Sequence, residues 1–180
     1  MTFDRIVIVG KPGAGKSTLA THVSQKFQLQ NIELDALSWE AGWTQISAAL
    51  MRAKADRLLP PNGHWVADGN YTKQVQDMVW RRAQTLIWLD YPLGVALWRV
   101  LKRTVVRIWT GEELWNGNRE TLGHLLACLR PDDNLFVWCW RMHWKQREEF
   151  PVAFGREEFR HLKVLRFRSP REMEEWLESL

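Results

Sequence analysis

Gly10-Lys11-Pro12-Gly13-Ala14-Gly15-Lys16-Ser17-Thr18 satisfies G-x-x-x-x-G-K-[ST] at every fixed position. It follows the apolar run Ile6-Val7-Ile8-Val9 and precedes residues whose apolar positions recur at helical spacing. Strand, glycine turn and helix is the context a phosphate-binding loop needs. Glycines at 10, 13 and 15 let the chain curl tightly, so that several backbone N–H groups point at one polyanion. The helix starting near Gly15 adds unpaired N–H donors and the positive end of its dipole. Lys16 is then expected to reach the β- and γ-phosphates, and the Ser17 hydroxyl to ligate Mg²⁺. The competing reading is an ordinary glycine turn, yet a chance match should arise in on the order of one chain in a hundred of this length. The loop, with Pro12, Ala14 and Thr18 as further members, is expected to bind ATP with Mg²⁺.

A chain of 180 residues suits one domain, residues 1–180, with room for an insertion. Net charge is +4, from 25 basic and 21 acidic residues. That balance accommodates an anionic ligand and does not by itself call for nucleic acid, which stays an unfavoured partner. Cys128 and Cys139 have no C-x-x-C spacing and no signal peptide precedes them, so a reducing cytoplasmic setting is expected. The longest apolar region, Leu86 to Trp98, contains Asp90 and Pro92 and is too short to span a bilayer, so no membrane segment is expected. Twelve tryptophans suit core filling, stacking platforms for a base, or both.

In chain order the pattern predicts a strand at 3–9 and a helix at 16–27 with Leu19, Ala20, Val23 and Phe27 on one face. A short strand at 32–34 ends in Asp35, and 35–43 reads as a loop. A helix follows, capped by Thr44 and striped by Ile46, Ala49, Leu50 and Ala53, and Pro60-Pro61-Asn62-Gly63 stops it. Strands at 65–67 and 85–89 end in Asp68 and Asp90, with a helix from Thr72 between them. In an open α/β sheet the ligand crevice lies outside the carboxyl ends of the strands, so all three aspartates are expected near the phosphates. After Pro92 a strongly periodic helix carries Arg99, Arg103 and Arg107 at i, i+4 and i+8, one cationic row. Residues 110–118 read as a loop, then helices at Leu122–Leu129 and 134–149, a last strand at 162–167, and a capping box at Ser169-Pro170-Arg171-Glu172. The final helix should bury Met173, Trp176, Leu177 and Leu180.

This order resembles the nucleoside-monophosphate kinase group of P-loop proteins. The segments Leu34-Asp35-Ala36-Leu37-Ser38-Trp39, Gly42-Trp43, Trp65-Val66-Ala67-Asp68-Gly69-Asn70-Tyr71, Trp88-Leu89-Asp90-Tyr91-Pro92 and Asn118-Arg119-Glu120 look like the adenylate-kinase-related proteins often labelled DNA topology modulation proteins. The resemblance implies a three-layer α/β P-loop NTPase fold, with a parallel five-stranded sheet in the order 2-3-1-4-5. It also implies two mobile regions, one at about 35–60 for the phosphoryl acceptor and a lid at about 110–147 over ATP. Adenine should lie near Arg168-Ser169-Pro170.

In that topology Asp68 follows the strand beside strand 1, which makes it the Mg²⁺-side carboxylate acting through water, with Asp90 as the alternative. Either could instead cap the turn that follows it. Asp35 could accept the acceptor hydroxyl's proton, hold the substrate, or cap a helix. Arg99 and Arg103 have the R-x-x-x-R spacing found where the family's lid begins, and would neutralise the transferring phosphoryl. Arg107 and Arg119 are further candidates, and a solvated cationic face is the alternative. The family's Asp-Gly-Phe-Pro-Arg is here Asp68-Gly69-Asn70-Tyr71-Thr72, with Lys73 nearby and Gln76 in the place of a base-reading glutamine. Its Thr-Gly-Asp-x-x-Arg is absent between 31 and 60, where Trp39 and Trp43 stand. These departures argue against AMP as acceptor and leave ATP as donor. The expected activity is transfer of the ATP γ-phosphoryl to a small acceptor: a nucleotide, a nucleoside or another hydroxyl compound. A nucleotide-switched nucleic-acid-binding protein and a slow ATPase without a dedicated acceptor are the rival readings.

Overall fold

The computed structural model describes residues 3–70, 74–121 and 135–180. Five parallel strands form its centre: β1 (Arg5–Gly10), β2 (Gln30–Glu33), β5 (Trp65–Asp68), β6 (Thr85–Leu89) and β7 (Lys163–Phe167). Their order across the sheet is β2-β5-β1-β6-β7. A separate antiparallel pair, β3 (Trp39–Glu40) and β4 (Thr44–Gln45), lies between β2 and β5 in the chain. With that pair left out of the count, the order is 2-3-1-4-5.

The helices are α1 (Lys16–Phe27), α2 (Leu34–Ser38), α3 (Ala48–Leu58), α4 (Gln76–Arg82), α5 (Leu93–Thr110), α6 (Leu135–Phe154) and α7 (Pro170–Glu178). The central strands are apolar on both faces because both are covered. Alternate β1 residues show this: Val7 and Val9 join a core with Met51, Ala55, Val79 and Phe150, whereas Ile6 and Ile8 join another with Leu19, Ala20 and Val23. Helices α3, α4 and α6 thus cover one face, and α1 and α7 the other. Among the described residues no helix is long and apolar enough to cross a membrane.

Several local expectations need correction. Residues 35–43 are not a plain loop; they form most of α2, then β3 and a tight turn at Gly42 (φ 73°) that folds β4 back. Thr44 is consequently a strand residue, and Ser47 caps α3, its Oγ accepting the Leu50 N–H at 3.2 Å. The buried face of α3 is Met51 and Ala55, with Leu59 just beyond, while Ala49, Leu50 and Ala53 are exposed. Met and Leu remove more apolar area from water than alanines at 49 and 53 could, and that area decides which stripe turns inward. Helix α6 runs past Glu149 and includes Pro151, because Phe150 and Phe154 anchor its end on Trp80, with ring centroids 5.5 and 5.4 Å apart. Leu180 is exposed rather than part of a buried face.

The tryptophans divide by position. Trp65, Trp80 and Trp88 are core residues, but Trp98, Trp109, Trp138, Trp140 and Trp144 are exposed. The expected helix at 122–129, Cys128, Thr72 and Lys73 lie outside the described residues.

Candidate functional site

The loop between β1 and α1 is held from three sides. Asn70 grips its start: the Gly10 N–H donates to Asn70 Oδ1 at 3.1 Å, and Asn70 Nδ2 donates to the Gly10 carbonyl at 2.5 Å. Gly13 (φ 75°) lies so close to α5 that a β-carbon there would stand 2.3 Å from the Ala96 carbonyl oxygen. From α6, the Cys139 thiol sits 3.6 Å from the Pro12 carbonyl oxygen. Gly15, left-handed at φ 90°, is the N-cap of α1 and offers no side chain to its N–H groups. The helix's first donors are therefore left for a ligand.

The invariant positions of the motif tell only part of the story, since Lys11, a variable position, is buried. Its Nζ donates to the Tyr91 carbonyl at 2.5 Å and lies 3.9 Å from Asp90 Oδ1; burial pulls its pKa down to about 8.

The strand-end aspartates separate into different environments. Asp68 stands opposite Ile8 in the β1–β5 register and accepts the Ser17 hydroxyl at 2.7 Å. Its second oxygen, Oδ1, is buried without a hydrogen-bond partner. Burial raises the Asp68 pKa to about 6, against the Ser17 hydrogen bond and the Lys16 charge, which both lower it. A hydroxyl beside a carboxylate with one unused oxygen suits a hydrated Mg²⁺, so the residues present fit that ion. Lys16 also has a lowered pKa, through burial first, with Asp35 and Asp68 opposing it.

Asp90 does not face the cavity. Its Oδ1 accepts from Arg147 Nε at 2.8 Å, and its Oδ2 from Arg166 Nε and Nη2 at 3.1 and 2.6 Å, while the Arg166 guanidinium lies 4.1 Å from the Trp88 ring centre. The expectation that Asp90 joins the phosphate neighbourhood is corrected: it is the buried anchor of a cluster made by Lys11 of the loop and the partly buried Arg147 and Arg166. Neither arginine drew attention in the sequence, since they stand 57 and 76 positions from Asp90. Asp90→Asn should cost about 2–3 kcal/mol, because three cations lose their counter-charge although the two arginines are a third exposed. The melting temperature should then fall by roughly 5–10 °C; an unchanged thermal melt would show the cluster to be idle.

A cavity of about 950 Å³ opens over the loop. Gly13 to Ser17 form its floor, and Arg99 and Arg103 stand exposed on its wall. A β-carbon on Gly15 would meet Arg99 Nη1 at 3.4 Å, which places that guanidinium beside the loop. Thr18, His22, Met173 and Leu177 line one end. Glu33, Asp35, Arg107, Glu112, Glu113 and Trp115 are found on its other walls, with Asp35 in the first turn of α2.

Arg107 is held by Glu112 at 3.5 Å and Glu120 at 3.2 Å, and Arg119 pairs with Glu113 at 3.4 Å outside the cavity lining. Gln76 lines a separate crevice with Asn70 and Val75. Ser169 caps α7, accepting the Glu172 N–H at 3.2 Å, and the cavity surface comes instead from Met173 and Leu177 one and two turns on. Those two had a sequence signal only as an apolar helix face. Asn70 had one only as a member of the segment 65–71, and Glu33 and Trp115 had none beyond their neighbours.

No family model matches the chain, and no curated protein does. Solved structures do. A gluconokinase from Sinorhizobium meliloti 1021 superposes with a TM-score of 0.54 at 15% identity, covering 99% of this chain and 93% of its own. A deoxyadenosine kinase from M. mycoides, solved with bound dATP, gives 0.55 at 14% identity, covering 97% and 98%. At such identities the likeness is one of fold. Sheet order, loop and neighbours agree that the chain has the α/β fold of the P-loop kinases.

Proposed function

We propose that the chain binds Mg·ATP in this cavity and transfers its γ-phosphoryl to a hydroxyl of a small acceptor. The observation that carries the reading is the Ser17–Asp68 hydrogen bond next to Lys16, with Arg99 and Arg103 facing the same space. The likeness to kinases of this fold and the motif resemblance to adenylate-kinase-related proteins support it.

Each residue's part follows from its position. The loop N–H groups and the α1 terminus bind the phosphate chain. Lys16 is set where charge would build on the transferring group, with the Arg99 guanidinium beside the loop and Arg103 on the cavity wall to neutralise it. Mg²⁺, when bound through Ser17 and the Asp68 side, would supply charge neutralisation at the phosphates. Asp35 accepts the proton as the acceptor oxygen bonds to γ-phosphorus and the bond to the bridging oxygen of ADP breaks. The cleft between α1 and α7, walled by Met173 and Leu177, receives the base. Of the expected lid, residues 112–115 line the cavity and serve to close it against water, the competing acceptor, whereas α6 is packed on the core through Cys139 and Met142 and is not a moving part.

Calorimetric titration with ATP, with and without Mg²⁺, combined with a screen of labelled-ATP transfer to nucleoside monophosphates, nucleosides and small hydroxy compounds, tests the reading. Magnesium-dependent binding and one labelled product are expected. Binding without any product across the screen would overturn it in favour of a slow ATPase.

A further inference from the structure

We infer that the phosphoryl acceptor is a ring compound carrying a hydroxyl and no anionic group, of the nucleoside or sugar class, and that the cavity discriminates against phosphorylated or carboxylated acceptors. The inference rests on the phosphotransferase reading and narrows its acceptor.

Charge on the walls away from Met173 and Leu177 carries the first half of the argument. Glu33, Asp35, Glu112 and Glu113 all contribute surface to the cavity there. Arg107, which could have gripped an acceptor phosphate, is already compensated by Glu112 and Glu120, and Arg119 by Glu113. Lys16 and Arg99 lie with the loop, where the ATP phosphates need them, and Arg103 lines the cavity within electrostatic reach of Lys16 and of Asp35 and Glu112. On this side Glu33, Asp35, Glu112, Glu113 and Glu120 outnumber Arg103, Arg107 and Arg119, so a second phosphate at the acceptor position would meet net negative charge, and like charges inside a partly desolvated cavity repel.

The shape and polarity of the wall carry the second half. Trp115 is half-buried in it, with Nε1 donating to Glu33 Oε2 at 2.7 Å. Trp43 packs edge-on against Trp115 at 6.5 Å, and Trp39 against Trp43 at 5.7 Å. Asn118 locks this aromatic group: Oδ1 accepts the Trp43 N–H, and Nδ2 donates to the Glu40 and Trp115 carbonyls, each at 2.8 Å. The result is a braced indole plate beside ionised carboxylates. Ionised carboxylates only accept hydrogen bonds, so they call for ligand O–H or N–H donors, and the indole calls for an apolar ring face. A nucleoside or a sugar offers both in one molecule.

The test uses the full-length protein, γ-labelled ATP and matched acceptor pairs: each nucleoside with its 5′-monophosphate, and neutral hexoses with the corresponding aldonates. Transfer to at least one neutral member is expected, on the order of a hundredfold faster in kcat/KM than to its anionic partner. Glu33→Gln combined with Glu113→Gln should shrink that ratio. Trp115→Ala should raise the acceptor KM by about tenfold with little change in the KM for ATP, and Trp115→Phe should restore most of it. Equal or faster transfer to the anionic members would overturn the acceptor class while leaving phosphotransfer standing. Lys16-dependent ADP release with no transfer to any member would overturn the phosphotransferase reading, and this inference with it.

Discussion

Lys16→Met should lower phosphoryl transfer by on the order of a thousandfold and weaken Mg·ATP binding, while the protein melts at the same temperature or slightly higher. Lys16 lines the cavity floor, and burial already pulls its pKa down, although Asp35 and Asp68 favour its charged form. In the unliganded protein that ammonium is therefore a cost to folding; methionine keeps the stem and discards the charge. Single-turnover transfer to the acceptor found in the screen measures the first effect, and a thermal melt in chelator the second. Turnover within a few-fold of the parent would remove Lys16 from the chemistry, and a sharp drop in melting temperature would show that its charge supports the fold.

Asp68→Asn should separate stability from activity in the same way. The Asp68 carboxyl is almost fully buried and titrates near 6 instead of 3.8, chiefly because burial disfavours its charge. The folded state therefore holds a proton that the unfolded chain has lost between about pH 4 and 6, so stability falls as pH rises through that window. Above pH 6 the ionised Asp68 carboxylate costs the unliganded protein about 1–3 kcal/mol, and below about pH 4 it costs nothing. Asparagine keeps the Ser17 hydrogen bond and removes the charge. In chelator the variant should be the more stable protein at pH 7.5 and match the parent at pH 4. With Mg·ATP its turnover should drop about a hundredfold or more, since the carboxylate beside Ser17 is what suits the cation. Urea unfolding at the two pH values and magnesium titration of the rate check both arms. An equal stability difference at both pH values would show that the Asp68 charge is not its source.

Lys16 belongs to the loop and its flanking elements, which are the part of the site most legible from the residues alone. The glycines, Lys16, Ser17 and the strand and helix around them lie within some twenty consecutive positions, and their conformations are decided by near neighbours. The alternation of apolar runs with amphipathic helices carried the sheet order by resemblance in the same manner. Local reading failed where two options of similar local merit competed. Thr44 and Ser47 can each cap a helix, and the hairpin pairing of Trp39 with Gln45 chose between them. Two apolar stripes were available on α3, and the larger side chains won the core.

What the sequence by itself determined is a nucleotide-phosphate loop on a parallel α/β sheet, because backbone curl and strand burial are encoded within short windows. Only the tertiary structure decided which aspartate meets Ser17. Asp68 and Asp90 look alike in the chain, each at a strand end; β5 brings one opposite Ile8 beside the loop, while Arg147 and Arg166, arriving from α6 and β7, bind both oxygens of the other. The same holds for the acceptor wall, where Asn118 joins Glu40 and Trp43 from 75 or more positions away. Pairings of that kind depend on how far-separated elements pack, and no local pattern of residues records them.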